Sequence, residues 1–88
     1  MKFTDLRYSE DVVDKLWIKH AVDLCEVEDI LGGDYWLRRG RNNLYWLYGQ
    51  TRAGRYLIVI LAHLEGERCQ LVTARNMVEG ERRSYLRR

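Results

Sequence analysis

Residues 56–64 read YLIVILAHL, apolar at nearly every position and bounded by RAGR (52–55) and EGE (65–67). Such a run suits a buried helix segment or a strand covered on both faces, and its β-branched content and flanking glycine turns select the strand. A strand with no polar alternate belongs in the middle of a sheet, packed above and below. Before it, DYWLRR (34–39), the turn GRNN (40–43) and LYWLYGQT (44–51) read as two more strands, and after it RCQLVTAR (68–75) reads as another. Connections this short join antiparallel neighbours, so the four strands form a meander.

Ahead of the meander, MKFTDLRY (1–8) alternates loosely, as a short first strand does. Ser9 is placed as an N-cap, with Glu10 and Asp11 in the first turn where the helix dipole favours anions. Val12, Val13, Leu16, Trp17 and His20 follow at helical spacing as one apolar stripe. Asp23 and Glu26 spell a capping box for a second helix, whose Leu24, Val27 and Leu31 are expected to face inward and which Gly32-Gly33 ends. Asn76 and Glu79 spell another, opening a third helix over NMVEGERRSYLRR that Gly80 weakens. The expected order is β-α-α-β-β-β-β-α. That is an α+β domain spanning residues 1–88, with two N-terminal helices and one C-terminal helix on a small antiparallel sheet.

With 88 residues there is room for one hydrophobic core, and 47% hydrophobic content with three tryptophans argues against disorder. Two cysteines, Cys25 and Cys69, make no disulfide framework, and with His20 and His63 they lack the paired spacing of a zinc site, so no metal or other cofactor is expected. The opening residues contain acids and no apolar block, and no stretch approaches a membrane span, so a soluble cytoplasmic chain is expected. The net charge of +2 conceals a polarity. Residues 1–37 hold four basic against nine acidic side chains, a balance of −5, whereas residues 38–88 hold eleven arginines against four glutamates, a balance of +7. A basic half of this kind fits a polyanion or an acidic partner, and arginine is the cation suited to forked recognition of phosphate; a GC-rich coding bias produces the same excess. Trp36, Tyr45, Trp46 and Tyr48 intermix with Arg38, Arg39 and Arg41, a mixture that suits stacking of single-stranded RNA and equally suits a half-buried sheet. Strand alternation separates Tyr45 from Trp46 and Tyr48, so one set at most meets a ligand.

Several segments together resemble the BrnT-like family of type II toxins, within the RelE-like ribonuclease superfamily. They are Lys19-His20 closing the first helix, Gly49-Gln50-Thr51-Arg52-Ala53-Gly54-Arg55 before the central strand, Val72-Thr73-Ala74-Arg75, and Glu81-Arg82-Arg83-Ser84-Tyr85. The match runs in order along nearly the whole chain; Ala21 stands where the family usually has glycine. The resemblance implies an endoribonuclease that cuts RNA or mRNA without a metal and arrests growth. It also implies a cognate antitoxin of ribbon-helix-helix or helix-turn-helix type, forming a hetero-oligomer with the toxin, and RNA, ribosome-bound mRNA included, as the substrate. The alternative is a RelE-fold module that has lost catalysis and binds an antitoxin or RNA.

Cleavage through the RNA's own 2′-hydroxyl needs a base, an acid and cations for the phosphorane charge. Arg55 enters the central strand and Arg75 leaves the last one, so the two are expected at one sheet edge to fork a phosphate, with Lys19 adding a third cation; the competing reading pairs each arginine with a carboxylate of the fold. His20 is the natural acid or base near neutral pH, or a hydrogen-bonded core histidine, while His63 reads as structural. Tyr85 is placed in the catalytic set as a proton donor or as packing, and Glu81 as a base or an arginine's partner. Tyr48, Arg52, Arg82 and Arg83 complete the set as RNA-binding residues. These expectations require Arg55, Arg75 and the Lys19-His20 corner to surround one hollow.

Overall fold

The computed structural model describes residues 2–88, so Met1, part of the expected first strand, lies outside the described residues. The elements are β1 (Asp5–Arg7), α1 (Glu10–His20), α2 (Leu24–Gly32), β2 (Trp36–Arg39), β3 (Leu44–Gln50), β4 (Tyr56–His63), β5 (Arg68–Asn76) and α3 (Glu79–Arg87). They form a five-stranded sheet in the order β1-β5-β4-β3-β2, which puts the apolar run at its centre. The four-strand meander is antiparallel, but β1 lies parallel to β5 through Asp5–Arg68, Leu6–Cys69 and Arg7–Gln70, so the sheet is mixed. The helices carry the chain from β1 to the far edge, and the meander then walks back, so its last strand arrives beside the first. That pairing covers part of an edge that β5 would otherwise present to solvent.

The caps of the first two helices follow the sequence. Ser9 Oγ accepts from Val12 N at 3.2 Å, and Asp23 and Glu26 exchange bonds of 2.9 and 3.1 Å with each other's backbone N–H. Leu16 is buried on α1, with Val12 and His20 a turn away on the same side, whereas Trp17 is 60% exposed because it falls beyond the inward face. On α2 the buried pair is Val27 and Ile30, with Leu24 and Leu31 at the margin. The third helix corrects its expected start. Asn76 remains in β5 opposite Leu57, its Oδ1 taken by Arg55; α3 begins after Val78, whose N–H donates to Glu81 Oε1 at 2.9 Å.

Alternation along β4 divides the interior in two. Leu57, Val59 and Leu61 join Leu16, Val27, Ile30, Tyr45, Leu47, Leu71 and Ala74 beneath α1 and α2. Ile58 and Ile60 join Tyr48 and Tyr85 on the opposite face, beneath α3, with Trp36, Trp46 and Tyr56 beside them. Close approach decides one glycine: a Cβ on Gly49 would sit 3.1–3.2 Å from the Ile30 side chain, so α2 can rest on β3 only if that position is bare. Opposite Ile60 and Leu61 the register slips, with Ile60 facing Thr73 and Leu61 facing Leu71, which leaves Val72 as an extra, bulged residue.

Candidate nucleic-acid interface

The GQTRAGR segment builds a latch. Thr51 is buried, its Oγ1 accepts from Arg55 N at 3.0 Å, and Gly54 turns the chain at φ +97° with its N–H on Thr51 O. Arg55 is thereby aimed at the corner between α1 and α2. Its Nη2 donates to His20 O at 2.7 Å, Nη1 donates to Ala21 O at 2.6 Å and to the Glu26 carboxylate at 3.1 and 3.2 Å, and Nε donates to Asn76 Oδ1 at 2.8 Å. The carbonyls at the end of α1 carry the negative pole of that helix, which suits a guanidinium. All three nitrogens are spent inside the fold.

Arg75 lies on the other face. It pairs across the ladder with Ile58, which pairs with Tyr48, which pairs with Trp36, so these four side chains form one row beneath α3. Its Nη1 and Nη2 fork Glu81 Oε1 and Oε2 at 2.8 and 2.9 Å, and the guanidinium stands 5.9 Å from the Trp46 ring centroid. Hydrogen bonding to Arg75 outweighs burial and holds the Glu81 carboxyl below its usual range, while the same bond pushes the Arg75 guanidinium up. Glu81 is therefore ionised at neutral pH, and no described hydrogen bond uses Arg75 Nε.

Two hollows meet on this face. One, of about 290 Å³, is lined by Trp36, Arg38, Tyr48, Val78, Gly80, Glu81 and Ser84. The other, of about 550 Å³, is lined by Arg38, Arg39, Gly40, Arg41, Leu44, Trp46 and Tyr48. Arg38 and Tyr48 line both. Arg38 lies over the Trp36 ring at 5.3 Å, and the Tyr48 ring is 5.0 Å from that of Trp36.

The single hollow expected around Arg55, Arg75 and Lys19-His20 is not formed, because the two arginines project from opposite faces and each is forked to a carboxylate. Lys19 and His20 line a separate hollow of about 260 Å³ between α1 and β5, with Val12, Lys15, Leu16, Val72 and Thr73. Tyr48 and Tyr85 are equally buried, but Tyr48 lines the two hollows, whereas Tyr85 lines neither, packs edge-on to Tyr56 at 6.1 Å and has Arg88 4.0 Å above its ring, so its position is that of packing. Arg52 projects at the β3–β4 turn, its N–H on Asp29 Oδ2 at 3.2 Å, away from the α3 face. Arg82 lies 4.4 Å over Tyr56 and Arg83 reaches Glu79 at 3.2 Å; both line a further hollow with Met77 and Leu86. Of the expected residues, Arg75 and Tyr48 share the α3-side row. The residues that join them, Trp36, Trp46, Arg38 and Arg41, were marked in the sequence by the aromatic and basic mixture. His63 is structural: its Nε2 contacts Gly66 O at 2.9 Å and its ring meets those of Phe3 and Tyr45. Cys69 is buried and desolvation pushes its thiol up to about 11; Cys25 is exposed, and both are free. Among the described residues no group of three or more His, Cys, Asp or Glu side chains is placed to hold a metal ion, and no helix is long and apolar enough to cross a membrane.

No protein-family model matches the sequence, and no curated protein matches it. The fold does match. The crystal structure of the Brucella abortus ribonuclease toxin BrnT superposes with a TM-score of 0.71 at 15% identity, covering 86% of this chain and all of that one. The chain therefore has the BrnT-like fold.

Proposed function

We propose that this protein is a ribonuclease of the toxin type, an endoribonuclease of a type II toxin–antitoxin pair that cleaves RNA or mRNA without a metal and arrests growth. One observation carries the reading: Arg75, the ionised Glu81, the Tyr48 phenol, Arg38 and two tryptophans share one open sheet face of a fold that is also that of a ribonuclease toxin. In this assignment the Glu81 carboxylate accepts the 2′-hydroxyl proton, Tyr48 protonates the leaving 5′ oxygen, and Arg38 with Arg75 Nε holds the phosphorane charge. Glu81 takes the role expected of His20, which belongs to another hollow, and Arg55 serves the fold. A cognate antitoxin protein inhibits by covering Arg38 and Arg75 in competition with RNA.

The test is inducible expression in a bacterium together with RNA cleavage by the purified chain in EDTA. Arg75→Ala is expected to relieve growth arrest and to lower cleavage by roughly 10²-fold or more, and Glu81→Gln by a similar factor. Arrest and cleavage that persist in both variants overturn the site.

A second reading, a non-catalytic module of the same fold for RNA or an antitoxin, draws on the carboxylates that neutralise both motif arginines. It predicts RNA binding that weakens steeply with salt and no turnover.

A further inference from the structure

Six of the twelve arginines have a carboxylate partner and six have none among the described residues. Arg7, Arg52, Arg55, Arg68, Arg75 and Arg83 each have a carboxylate within ion-pair distance. Arg38, Arg39, Arg41, Arg82, Arg87 and Arg88 have none among the described residues; Arg82 and Arg88 lie over the Tyr56 and Tyr85 rings and Arg39 over Tyr45 on the opposite face, which leaves Arg38 and Arg41 to present their charge to the larger hollow of the α3-side face. No carboxylate lines it either. Arg38 and Arg41 are exposed, so water meets their charge until a ligand brings acceptors of its own.

The rest of the lining adds an aromatic surface. Trp46 is half-buried, and its indole edge lies so close to the β2–β3 turn that a Cβ on Gly40 would sit 3.0 Å from its Nε1. The bare Gly40 lets the turn close on that edge, which fixes the ring. A hollow of about 550 Å³ has ample room for one nucleobase beside the indole. It adjoins the Glu81 hollow through Arg38 and Tyr48, so a strand with its phosphate on Arg38 places a neighbouring base against Trp46.

We infer that this hollow is a base-reading subsite that takes guanine next to the scissile phosphate, stacked on Trp46 and forked by Arg41. This rests on the ribonuclease reading above for its substrate class. The selection comes from the donor set. The Arg38 and Arg41 guanidiniums and the Trp46 N–H offer donors only, with the Tyr48 hydroxyl the one side-chain group able to accept. Guanine presents two adjacent acceptors, O6 and N7, which match an arginine fork; adenine presents an acceptor beside an amino donor, and cytosine presents an amino donor. Uracil's two carbonyls flank an N–H and offer a smaller stacking area. The donor-rich lining thus suits guanine and offers the amino group of adenine only the Tyr48 hydroxyl.

The experiment uses short single-stranded 2′-O-methyl oligonucleotides, which cannot be cleaved through the 2′ position, carrying one central guanine, 7-deazaguanine, adenine or uracil. Binding to the full chain is followed by anisotropy of an end label. Guanine is expected to bind roughly tenfold or more tighter than 7-deazaguanine, which lacks N7, and than adenine. Arg41→Gln is expected to remove that ratio while leaving salt-dependent binding to every oligonucleotide; loss of one phosphate contact alone would weaken all four alike. Trp46→Phe keeps an aromatic ring against Ile60 and is expected to weaken binding severalfold for each base. Equal affinity for the four oligonucleotides, or discrimination that survives Arg41→Gln, overturns the subsite, as does a failure of all four to bind. Cleavage of the matching 2′-hydroxyl RNA is scored separately: guanine-selective binding without cleavage upholds the subsite and removes the nuclease.

Discussion

Arg55 and Arg75 stand on opposite faces of the sheet, although both belong to segments that meet at the same end of β4 and β5. Arg55 projects with Leu57 toward α1 and α2, and Arg75 projects opposite Ile58 toward α3. The bulge sets this difference. Leu71 faces the α1–α2 side, and unbroken alternation from it would put residues 73 and 75 there too; the extra Val72 shifts the phase, so Ala74 joins that core and Arg75 turns to the other. One residue of slip sends Arg75 to the α3 side instead of the α1–α2 side that Arg55 closes.

Arg55 is accordingly a stability residue. Its side chain and that of Glu26 are each about one-quarter exposed, and the guanidinium closes the α1–α2 corner with bonds to two carbonyls and a carboxylate. Arg55→Ala leaves that carboxylate without its cation and is expected to cost about 2–3 kcal/mol of unfolding free energy. Arg55→Lys recovers only part, since an ammonium lacks the fork. Urea denaturation measures both, and a loss under about 0.5 kcal/mol for the alanine variant contradicts the latch.

The Arg75–Glu81 pair makes stability sensitive to acid. Glu81 has a folded pKa below the unfolded value of 4.5, so its contribution is present above 4.5 and is lost as pH falls through the depressed folded value. The bond to Glu81 pushes the Arg75 guanidinium up, so its side of the pair is fully charged throughout that acid window and adds no slope of its own. Unfolding midpoints followed from neutrality into acid are expected to fall less steeply for Glu81→Gln than for the parent chain. Identical acid limbs would show that the carboxylate is not held by the arginine.

Ala21 occupies the left-handed region at φ 51° and ψ 40°, where the chain turns out of α1 and Val22 N–H reaches back to Leu16 O at 3.2 Å. An L-residue there costs about 1–2 kcal/mol, and glycine's extra unfolded-state entropy offsets about 0.5–1 kcal/mol of the relief. Ala21→Gly is expected to stabilise the chain by up to about 1 kcal/mol. Thermal unfolding decides it, and a lowered midpoint counts against the strain.

What the sequence made legible was local or periodic. The element order, the Ser9 cap, the Asp23–Glu26 box and the central place of residues 56–64 each follow from residues close together in the chain. Three features were not legible, because each depends on partners far away. The parallel seat of β1 depends on where the meander ends. The start of α3 shifted because Asn76 was claimed by Arg55, 21 residues earlier in the chain, and by the ladder to Leu57. The facing of Arg75 depended on a bulge at Val72 that leaves no periodic trace in so short a strand. For the site, the aromatic and arginine mixture around Trp46 was visible in the sequence, but the absence of carboxylates beside it required the fold.

Gly40 ties that mixture to the turn before β3. Its N–H donates to Leu44 O at 2.8 Å, and its Cα faces the Trp46 indole, so that a Cβ there would sit 3.0 Å from Nε1 and 3.3 Å from Cδ1. Gly40→Ala must therefore move the ring, and because the ring is only half-buried it has room to swing outward. The expected cost to stability is about 1 kcal/mol or less. Tryptophan fluorescence is expected to shift, and guanine-selective binding to fall toward the level of the other bases, since a displaced ring no longer lies beside Arg41. An unchanged emission spectrum and unchanged selectivity in Gly40→Ala would mean that the turn does not set the ring, and that stacking at Trp46 is independent of the β2–β3 connection.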